Sequence, residues 1–202
     1  MDIMLIDDHP LLNAGLISIL EGTGIFTVSA QAVSLNQAMD IIEEAEDLPH
    51  LIILDILLGE DNGLDFLPML EAFCRRKKIR KPAVLVCSAL DDAFKVQSAL
   101  KLGASGFLSK TSGKSELLNA IDTILCGEVY ISSEMNSRLS ESSKIYSKFS
   151  KREIDVINAI KQNKINKIIA SDMGISIRTV ENYISKIYFK TGFSTREEIN
   201  KL

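Results

Sequence analysis

Three carboxylates follow two short apolar runs of the sequence. Asp7 and Asp8 come directly after residues 3–6 (IMLI), and Asp55 comes directly after residues 51–54 (LIIL). If these runs are neighbouring strands of a parallel sheet, the carboxylates meet at one edge, since ligands bind beyond the carboxyl ends of such strands. Carboxylates that lie so close repel one another, and a hard cation offsets the repulsion. The spacing therefore predicts a Mg²⁺ site at this edge.

A hydroxyl group and an ammonium group follow the same pattern. Ser88 ends the apolar run 83–88, and Lys110 comes just after the run 106–109. A metal, a hydroxyl, an ammonium and a carboxylate around one point can receive a phosphoryl group, with Asp55 as the nucleophile. Lys110 and the metal would neutralise the transferring oxygens. These residues therefore predict phosphoryl chemistry on an aspartate.

Each of these residues also has a simpler explanation when it is taken alone. An aspartate at a strand end is usually a turn residue, and Asp8 can cap a helix that begins near Pro10. A lone lysine such as Lys110 is usually solvated. The shared register at the ends of four strands favours a site instead. A phosphatase with an aspartyl nucleophile is a second possibility, but it typically needs another acid two residues later, where this chain has Leu57.

The segments that must position these residues alternate between two periodicities. Apolar runs that predict strands cover residues 3–6, 26–33, 51–54, 83–88 and 106–109. Segments with helical spacing cover roughly residues 10–21, 35–47, 63–74, 92–102 and 115–126. Five alternations of strand and helix predict an α/β domain over residues 1–128, with a five-stranded parallel sheet covered by helices on both faces.

The remainder of the chain has a different composition. Residues 129–148 are mostly polar and rich in serine, which is typical of a linker, and residues 149–202 predict an all-α domain. Its helical patterns cover residues 150–161, 166–173, 176–190 and 194–201. Residues 1–128 carry 19 acidic and 10 basic side chains, hence −9, and residues 129–202 carry 8 and 13, hence +5. The basic second half suggests a polyanionic partner.

Two helical patterns joined by a glycine occupy residues 166–190. Gly174 ends the first pattern, and Ser176 can cap the second one. On a helical wheel the second helix has an apolar face and an opposite, mainly polar face. The polar face consists of Arg178, Asn182, Ser185, Lys186 and Phe189. This is a helix-turn-helix pattern whose polar face can enter a DNA major groove, although paired amphipathic helices also occur in many all-α proteins.

The composition argues against a membrane or secreted protein. The 202-residue chain has no apolar run near the roughly 18 residues that span a membrane. Its acidic start lacks the basic region of a signal peptide. Cys74, Cys87 and Cys126 are too few and too scattered for a disulfide framework or a zinc site. We expect buried thiols in a reducing cytoplasm and no membrane partner.

Residues 1–126 resemble the receiver domain of two-component response regulators. The resemblance rests on the segments IDDHP, LIILD, CSAL and GASGFLSK. It implies a flavodoxin-like fold in which a sensor histidine kinase donates a phosphoryl group to Asp55, while Ser88 and Lys110 hold the phosphoryl oxygens. The Mg²⁺ ligands that it implies are Asp7, Asp8, Asp55 and the backbone carbonyl of Leu57.

The resemblance also implies a switch and exposes one departure. In the family, the residue at the position of Ser88 moves towards the phosphoryl group, and an aromatic side chain, here Phe107, then turns inward from an outward position. Ordinary core packing is the alternative role for Phe107. The family often has proline four residues after the phosphoacceptor, where this chain has Gly59. We expect a more flexible loop with unchanged chemistry.

Residues 149–202 resemble the four-helix DNA-binding domain of NarL/FixJ/LuxR-type regulators. The matching segments are FSKREIDVI, NKIIASDMGIS, RTVENYISKIYFKTG and STREEI. The positions implied to approach base edges are Glu181, Asn182 and Ser185. The positions implied to contact phosphates are Lys167, Arg178, Thr179, Lys186 and Lys190. The family commonly has a lysine in place of Glu181 and a histidine in place of Tyr183, so we expect a distinct operator.

The two resemblances together imply a transcription regulator controlled by a phosphorelay. One small domain supplies few phosphate contacts, so we expect a homodimer on double-stranded DNA, with Ile199 and Leu202 of the last helix as a candidate dimer surface. A regulator that binds DNA without phosphorylation is the alternative. We expect no enzyme activity beyond hydrolysis of the protein's own acyl phosphate.

Overall fold

A computed structural model of the chain describes residues 1–89, 93–133, 135–136, 139, 148–200 and 202. The chain divides into two units, residues 1–136 and 137–202. Most of the predicted linker, residues 129–148, lies outside the described residues. Of the helices that the structure describes, none is long and apolar enough to cross a bilayer.

The first unit alternates strands and helices as predicted. Its strands are β1 (Asp2–Ile6), β2 (Thr27–Ala32), β3 (Leu51–Leu54), β4 (Leu57–Leu58), β5 (Asp61–Asn62), β6 (Ala83–Ser88), β7 (Gly106–Ser109) and β8 (Tyr130–Ile131). Its helices are α1 (Pro10–Glu21), α2 (Leu35–Glu44), α3 (Phe66–Lys77), α4 (Ala93–Lys101) and α5 (Lys114–Leu125). A 3₁₀ turn at Gly63–Asp65 precedes α3, and β4 and β5 form a small antiparallel hairpin. The predicted start of α4 at residue 92 lies outside the described residues.

The prediction of a five-stranded sheet is wrong by one strand. The parallel sheet has six strands in the order β2-β1-β3-β6-β7-β8. The sixth strand, β8, pairs Tyr130 with Gly106 and lies inside the segment predicted as linker. Two residues are too short to show a periodicity. Gly106 makes the pairing possible, since a Cβ there would lie 2.9 Å from the backbone oxygen of Tyr130.

The central strands are buried on both faces, as their unbroken apolar runs predict. All four residues of β3 are buried, and so are residues 3–6 of β1. The two strands pair in parallel with Ile6 opposite Leu54. The amide of Asp55 donates to the carbonyl of Ile6 at 2.8 Å. This register brings the residues after β1 and β3 to the same edge of the sheet.

The second unit is all α-helical in its described residues. Its helices are α6 (Lys151–Lys161), α7 (Asn166–Met173), α8 (Ile177–Thr191) and α9 (Arg196–Ile199). Ser150 and Glu153 form a capping box that starts α6, and Gly174 at φ +63° ends α7. Arg196 joins α9 to the start of α7 through Asn166, at 2.7 Å.

The apolar side of the last helix is not free for dimerisation. Ile199 is fully buried in the core of the second unit, and Leu202 packs against that core. The candidate dimer surface built on these two residues is therefore wrong. The helical period showed an apolar side of this helix, but it did not show that α6 already covers that side.

Candidate functional site

The three predicted carboxylates converge at the carboxyl edge of the sheet. Ligand atoms of Asp7, Asp8, His9 and Asp55 all lie within 4.8 Å of one another. Asp7 and Asp55 are buried, with exposed fractions of 5% and 3%. Charged side chains are rarely so buried unless they are paired or bind a metal. The parallel register of β1 and β3 is the reason for this convergence.

Lys110 supplies the positive charge for this acidic cluster. Its Nζ lies 2.7 Å from Oδ2 of Asp55 and 2.5 Å from Oδ2 of Asp7. Its amide donates to the carbonyl of Ser88 at 2.9 Å, which fixes the residue just beyond β7. Burial of the ammonium opposes its charge, but the hydrogen bonds to Asp55 and Asp7 outweigh burial and raise the pKa of Lys110 above its ordinary value.

One oxygen of Asp55 remains without a partner. Oδ1 of Asp55 is buried and accepts no hydrogen bond from any described residue, whereas Oδ2 is bound to Lys110. An unpartnered buried carboxylate oxygen is costly, and such atoms mark places where an ion or another group belongs. Three carboxylates are hard oxygen donors of the kind that Mg²⁺ prefers. The residues present therefore fit a divalent cation.

Two further residues support the cluster, and the sequence analysis did not assign them. His9 donates its amide to Oδ1 of Asp7 at 2.9 Å, and its Nδ1 lies 2.8 Å from Oδ1 of Asp8. Asn13 is buried in α1 and donates to the carbonyl of Asp7 at 2.9 Å. A polar side chain on the apolar side of α1 was the available signal for Asn13. For His9, the only feature of the sequence that could have indicated a role was its position next to Asp7 and Asp8.

The loop after Asp55 is held by two glycines. A Cβ on Gly63 would overlap the backbone oxygen of Asp55, so only glycine lets the loop return so closely. Gly59 has φ +59°, and its amide donates to Oδ2 of Asp8 at 2.9 Å. A proline at position 59 could provide neither this φ nor this donor. The departure at Gly59 thus comes with a bond between the loop and the acidic pair.

The remaining residues predicted for this site lie on the elements expected. Ser88 is fully buried at the end of β6, next to β3 in the sheet. Leu57 lies in β4 with an exposed side chain, opposite Asn62. Phe107 in β7 is 2% exposed, so its ring is already buried, whereas the resemblance implied an outward position at rest. A phenyl ring has no hydroxyl that would need a partner, so its burial is favourable.

None of the three cysteines belongs to the acidic cluster. Burial raises the pKa of the Cys87 thiol to about 12, which keeps it protonated and unreactive. Cys74 is also buried, as predicted, but Cys126 is exposed. The prediction of a third buried thiol is therefore wrong, because Cys126 caps the end of α5.

In the second unit, α8 presents the face predicted to meet DNA. Val180 and Ile187 are fully buried on its inner side. The outer side of α8 consists of Arg178, Glu181, Asn182, Ser185, Lys186 and Phe189, all exposed. Lys167 is exposed on α7, and Thr179 is half-buried at the start of α8, where its amide donates to the cap residue Ser176 at 3.1 Å.

The charged groups on the exposed side of α8 near Arg178 are not paired with opposite charges in the part of the chain that the structure describes. Among the described residues, Lys167, Arg178, Glu181 and Lys186 have no ion-pair partner. The Nζ of Lys186 lies over the ring of Tyr183, 5.8 Å from its centroid. Exposed cations without acidic partners are available to phosphates. The geometry therefore suits an anionic ligand such as DNA.

Lys190 differs from the other basic residues of α8. Its Nζ lies 2.7 Å from Oε2 of Glu153, which is 3% exposed. Burial opposes the charge of Glu153, but hydrogen bonds from Lys190 and from the amide of Ser150 outweigh it and lower the pKa of the Glu153 carboxyl. This ion pair joins the start of α6 to the end of α8. A contact between Lys190 and a phosphate stays a prediction.

Comparison with known proteins identifies the family of each unit. Residues 3–122 match the family of response regulator receiver domains, and residues 147–200 match the luxR family of bacterial regulatory proteins. EvgA of Escherichia coli K12, a DNA-binding transcriptional activator, is 31% identical over 94% of this chain and 91% of its own length. NarL of the same strain, a nitrate/nitrite response regulator, is 29% identical over 97% and 91%.

Solved structures show the same fold. RcsB of Salmonella enterica serovar Typhimurium, solved bound to the promoter rprA with the phosphomimetic BeF₃⁻, superposes with a TM-score of 0.68. The match covers 99% of this chain and 96% of that chain, at 19% identity. The flavodoxin-like receiver and the helical second domain predicted from the sequence are thereby confirmed. The chain belongs to the two-component response regulators in which a receiver domain is joined to a LuxR-type DNA-binding domain.

Proposed function

We propose that this protein accepts a phosphoryl group on Asp55 from a sensor histidine kinase and then binds DNA more tightly through α8. The proposal rests on the acidic cluster and its contact with Lys110. A buried carboxylate with one unpartnered oxygen lies 2.7 Å from the ammonium of Lys110 and beside two further acids. Such a cluster is organised for an incoming group that is negatively charged and binds a metal.

We assign the cation site to Asp7, Asp8, Asp55 and the backbone carbonyl of Leu57. When bound, Mg²⁺ supplies positive charge for the phosphoryl oxygens and lowers the repulsion from the carboxylates. The hydrogen bond from Gly59 to Asp8 holds one acid of the pair, and the His9 amide holds Asp7. The chain thus keeps the donor oxygens in place before a ligand arrives.

The transfer follows from the position of Asp55. A carboxylate oxygen of Asp55 attacks the phosphorus of a phosphohistidine, a P–O bond forms, and the P–N bond breaks as the imidazole leaves with its electron pair. Lys110 then exchanges its bond to the carboxylate for bonds to the new phosphoryl oxygens. The Ser88 hydroxyl donates to one of these oxygens. The product is an acyl phosphate, which water hydrolyses slowly, so this chemistry is not turnover in the usual enzymatic sense.

The structural change that phosphorylation causes passes from Asp55 to Ser88 and then to the neighbouring strand β7. Movement of Ser88 towards the phosphoryl group alters its contacts beside β7, which carries Phe107. Because Phe107 is already buried, the ring stabilises the inward arrangement and the change falls on the surrounding helices α4 and α5. This is a two-state element biased by a local change of charge.

DNA binding uses the exposed face of α8. Glu181, Asn182 and Ser185 approach base edges in the major groove, and a glutamate there can accept from cytosine N4. The contacts to phosphates come from Lys167, Arg178, Thr179, Lys186 and, less strongly, Lys190. Few phosphate contacts per unit give weak binding, so two copies on half-sites about one helical turn apart provide the affinity. The presence of DNA and of a phosphomimetic in the RcsB structure supports this assignment.

The proposal is tested by DNA affinity before and after phosphorylation. A preferred site is first selected from random duplexes with the phosphodonor-treated chain. The dissociation constant is then measured with and without a small-molecule phosphodonor and Mg²⁺, for the wild type and for Asp55→Asn. We expect the phosphodonor to tighten wild-type binding at least about tenfold, equivalent to 1.4 kcal/mol, and to leave Asp55→Asn unchanged. Tight binding that the phosphodonor does not alter would favour a regulator independent of phosphorylation.

A further inference from the structure

One large apolar side chain lies on the DNA-facing side of α8. Phe189 is 91% exposed, while the next most exposed large apolar side chain in the described part of the second unit, Ile165, is 60% exposed. Single exposed apolar side chains are common on protein surfaces, but this one lies among the exposed side chains of α8 that are proposed to meet DNA. The proposed DNA contacts of this helix do not use Phe189.

The direction of Phe189 is fixed by its neighbours on the helix. Ile187 is fully buried, and Lys190 is bound to buried Glu153 at 2.7 Å. Thr191 donates to the carbonyl of Ile187 at 2.8 Å, and Gly192 ends the helix at φ +76°. These anchors prevent the last turn of α8 from rotating. The ring of Phe189 therefore cannot turn into the core of this unit without breaking them.

Phe189 shares its face with the residues proposed to read bases. Ser185 lies four residues before it, so the two side chains are neighbours on one side of the helix. Asn182 lies seven residues before it, about 10 Å along the helix axis at 1.5 Å per residue. If α8 lies along the major groove, a side chain at this distance would face a different base pair from the one that Asn182 faces. Phe189 thus extends the side of α8 that carries Asn182 and Ser185 by one helical turn.

We propose that Phe189 is a specificity-determining residue that reads the methyl group of a thymine in the major groove. The inference rests on the proposed binding of α8 to DNA. A phenyl ring carries no hydrogen-bond donor for a phosphate or acceptor for a base edge. The one apolar group that the major groove presents is the C5-methyl of thymine, and Phe is suited to contact it. The commoner readers of this groove, arginine and asparagine, would not detect that methyl.

The test removes the methyl group without changing the base pair. A preferred site is selected with the full-length chain, and each thymine of one half-site is replaced in turn by deoxyuridine. Dissociation constants are measured for the wild type, Phe189→Ala and Phe189→Leu. We expect one position at which deoxyuridine weakens wild-type binding about fourfold, the equivalent of about 0.8 kcal/mol for one buried methyl group. Phe189→Ala should lose this effect, and Phe189→Leu should keep part of it.

Matched controls separate this result from a loss of structure. Leu11→Ala removes another side chain that is 91% exposed, outside the DNA-binding unit, and should keep the full deoxyuridine effect. Melting temperatures should be equal for the wild type and both Phe189 variants, because the ring makes no core contact. Sedimentation without DNA shows whether Phe189→Ala changes the oligomeric state.

The outcomes distinguish this inference from the proposed function. If the wild type selects no sequence from the random pool, DNA reading by α8 itself fails. If a site is selected but no thymine shows an effect that depends on Phe189, the methyl reading is overturned and the proposed function stands. A change of oligomeric state in Phe189→Ala, with an unchanged deoxyuridine effect, would assign the ring to a protein interface and would also overturn the inference.

Discussion

The functional sites of the two units differ in whether their charged side chains are buried and paired or exposed and unpaired. In the receiver, Lys110 is 11% exposed and bound to both Asp7 and Asp55. On the outer face of α8, Arg178 is exposed and has no ion-pair partner among the described residues. A site for bond formation needs groups held in place before the reaction, and burial strengthens their interaction. A surface for a polyanion needs cations that are still free to meet phosphates.

Lys190 and Glu153 show that the second unit also holds a paired charge, in which Glu153 is buried and Lys190 is partly exposed. Lys190 lies on α8, only a few residues from the unpaired cation Lys186, yet its ion pair with Glu153 joins α8 to α6 and not the protein to a ligand. Whether a charged side chain is paired or free therefore depends on its role. It does not depend only on the domain in which the side chain lies.

The largest effect is expected at Gly63. Gly63→Ala places a Cβ against the backbone oxygen of Asp55, so the loop that borders the acid cluster must move. We expect a loss of about 3 kcal/mol in the free energy of unfolding of the receiver, at the upper end of the range for overpacking. Phosphorylation by a small-molecule donor should slow by more than about tenfold, since displaced ligands bind the cation poorly. Urea unfolding and intact mass against time measure the two effects.

Gly15 provides the matched control for this substitution. It lies on the exposed side of α1 with no atom within 4 Å of the position of a Cβ. Gly15→Ala should raise stability by about 0.5–1 kcal/mol, since alanine favours a helix over glycine. The rate of phosphorylation should not change. Equal destabilisation by both substitutions would contradict the close approach of the loop to Asp55.

A medium effect is expected for the ion pair of Glu153 and Lys190 in the second unit. Glu153→Gln leaves Lys190 without its partner and should destabilise the second unit by about 2 kcal/mol at pH 7, less than for a fully buried pair because Lys190 is partly exposed. The pKa of Glu153 is lowered in the folded state, so its contribution is present above the ordinary value of 4.5 and is lost as pH falls through the folded value.

The difference between the wild type and Glu153→Gln should therefore be constant from pH 7 to pH 5 and should shrink in more acidic solution. Urea unfolding followed by NMR signals of α8 measures it at each pH. A difference that grows as pH falls would have the wrong sign and would contradict the paired state of Glu153.

The smallest effect concerns the salt dependence of DNA binding. Arg178→Ala and Lys186→Ala should each lower the slope of log K against log salt by about 1, because each removes one phosphate contact. Lys190→Ala should lower it less, because Glu153 already neutralises that ammonium. Fluorescence anisotropy between low and moderate salt measures the slopes. Equal slopes for the three variants would remove the distinction between free and paired cations.

The sequence was sufficient for the architecture wherever a pattern extended over several residues. The unbroken run of β3 predicted a strand buried on both faces, and strand ends placed Asp7, Asp8, Asp55 and Lys110 together. The glycine turn at Gly174 predicted the two helices of the second unit. These features depend on local periodicity and on a fixed rule for parallel sheets, and both can be read without a structure.

Features set by a single close contact could not be predicted in this way. The strand at Tyr130 is too short for a periodicity, and the burial of Ile199 depends on α6, which is distant in sequence. The reason for Gly63 is the nearby carbonyl of Asp55, which no spacing shows. The bond between Gly59 and Asp8 is likewise visible only when the loop has folded back.

Intact mass spectrometry shows whether Asp55 is the residue that accepts the phosphoryl group. The wild type, Asp55→Asn and Asp61→Asn, which alters an exposed acid of the same loop, are incubated with Mg²⁺ and a small-molecule phosphodonor. We expect the addition of one phosphoryl group to the wild type and to Asp61→Asn, and none to Asp55→Asn. Equal phosphorylation of Asp55→Asn, or none of the wild type, would contradict the assignment of the chemistry to Asp55.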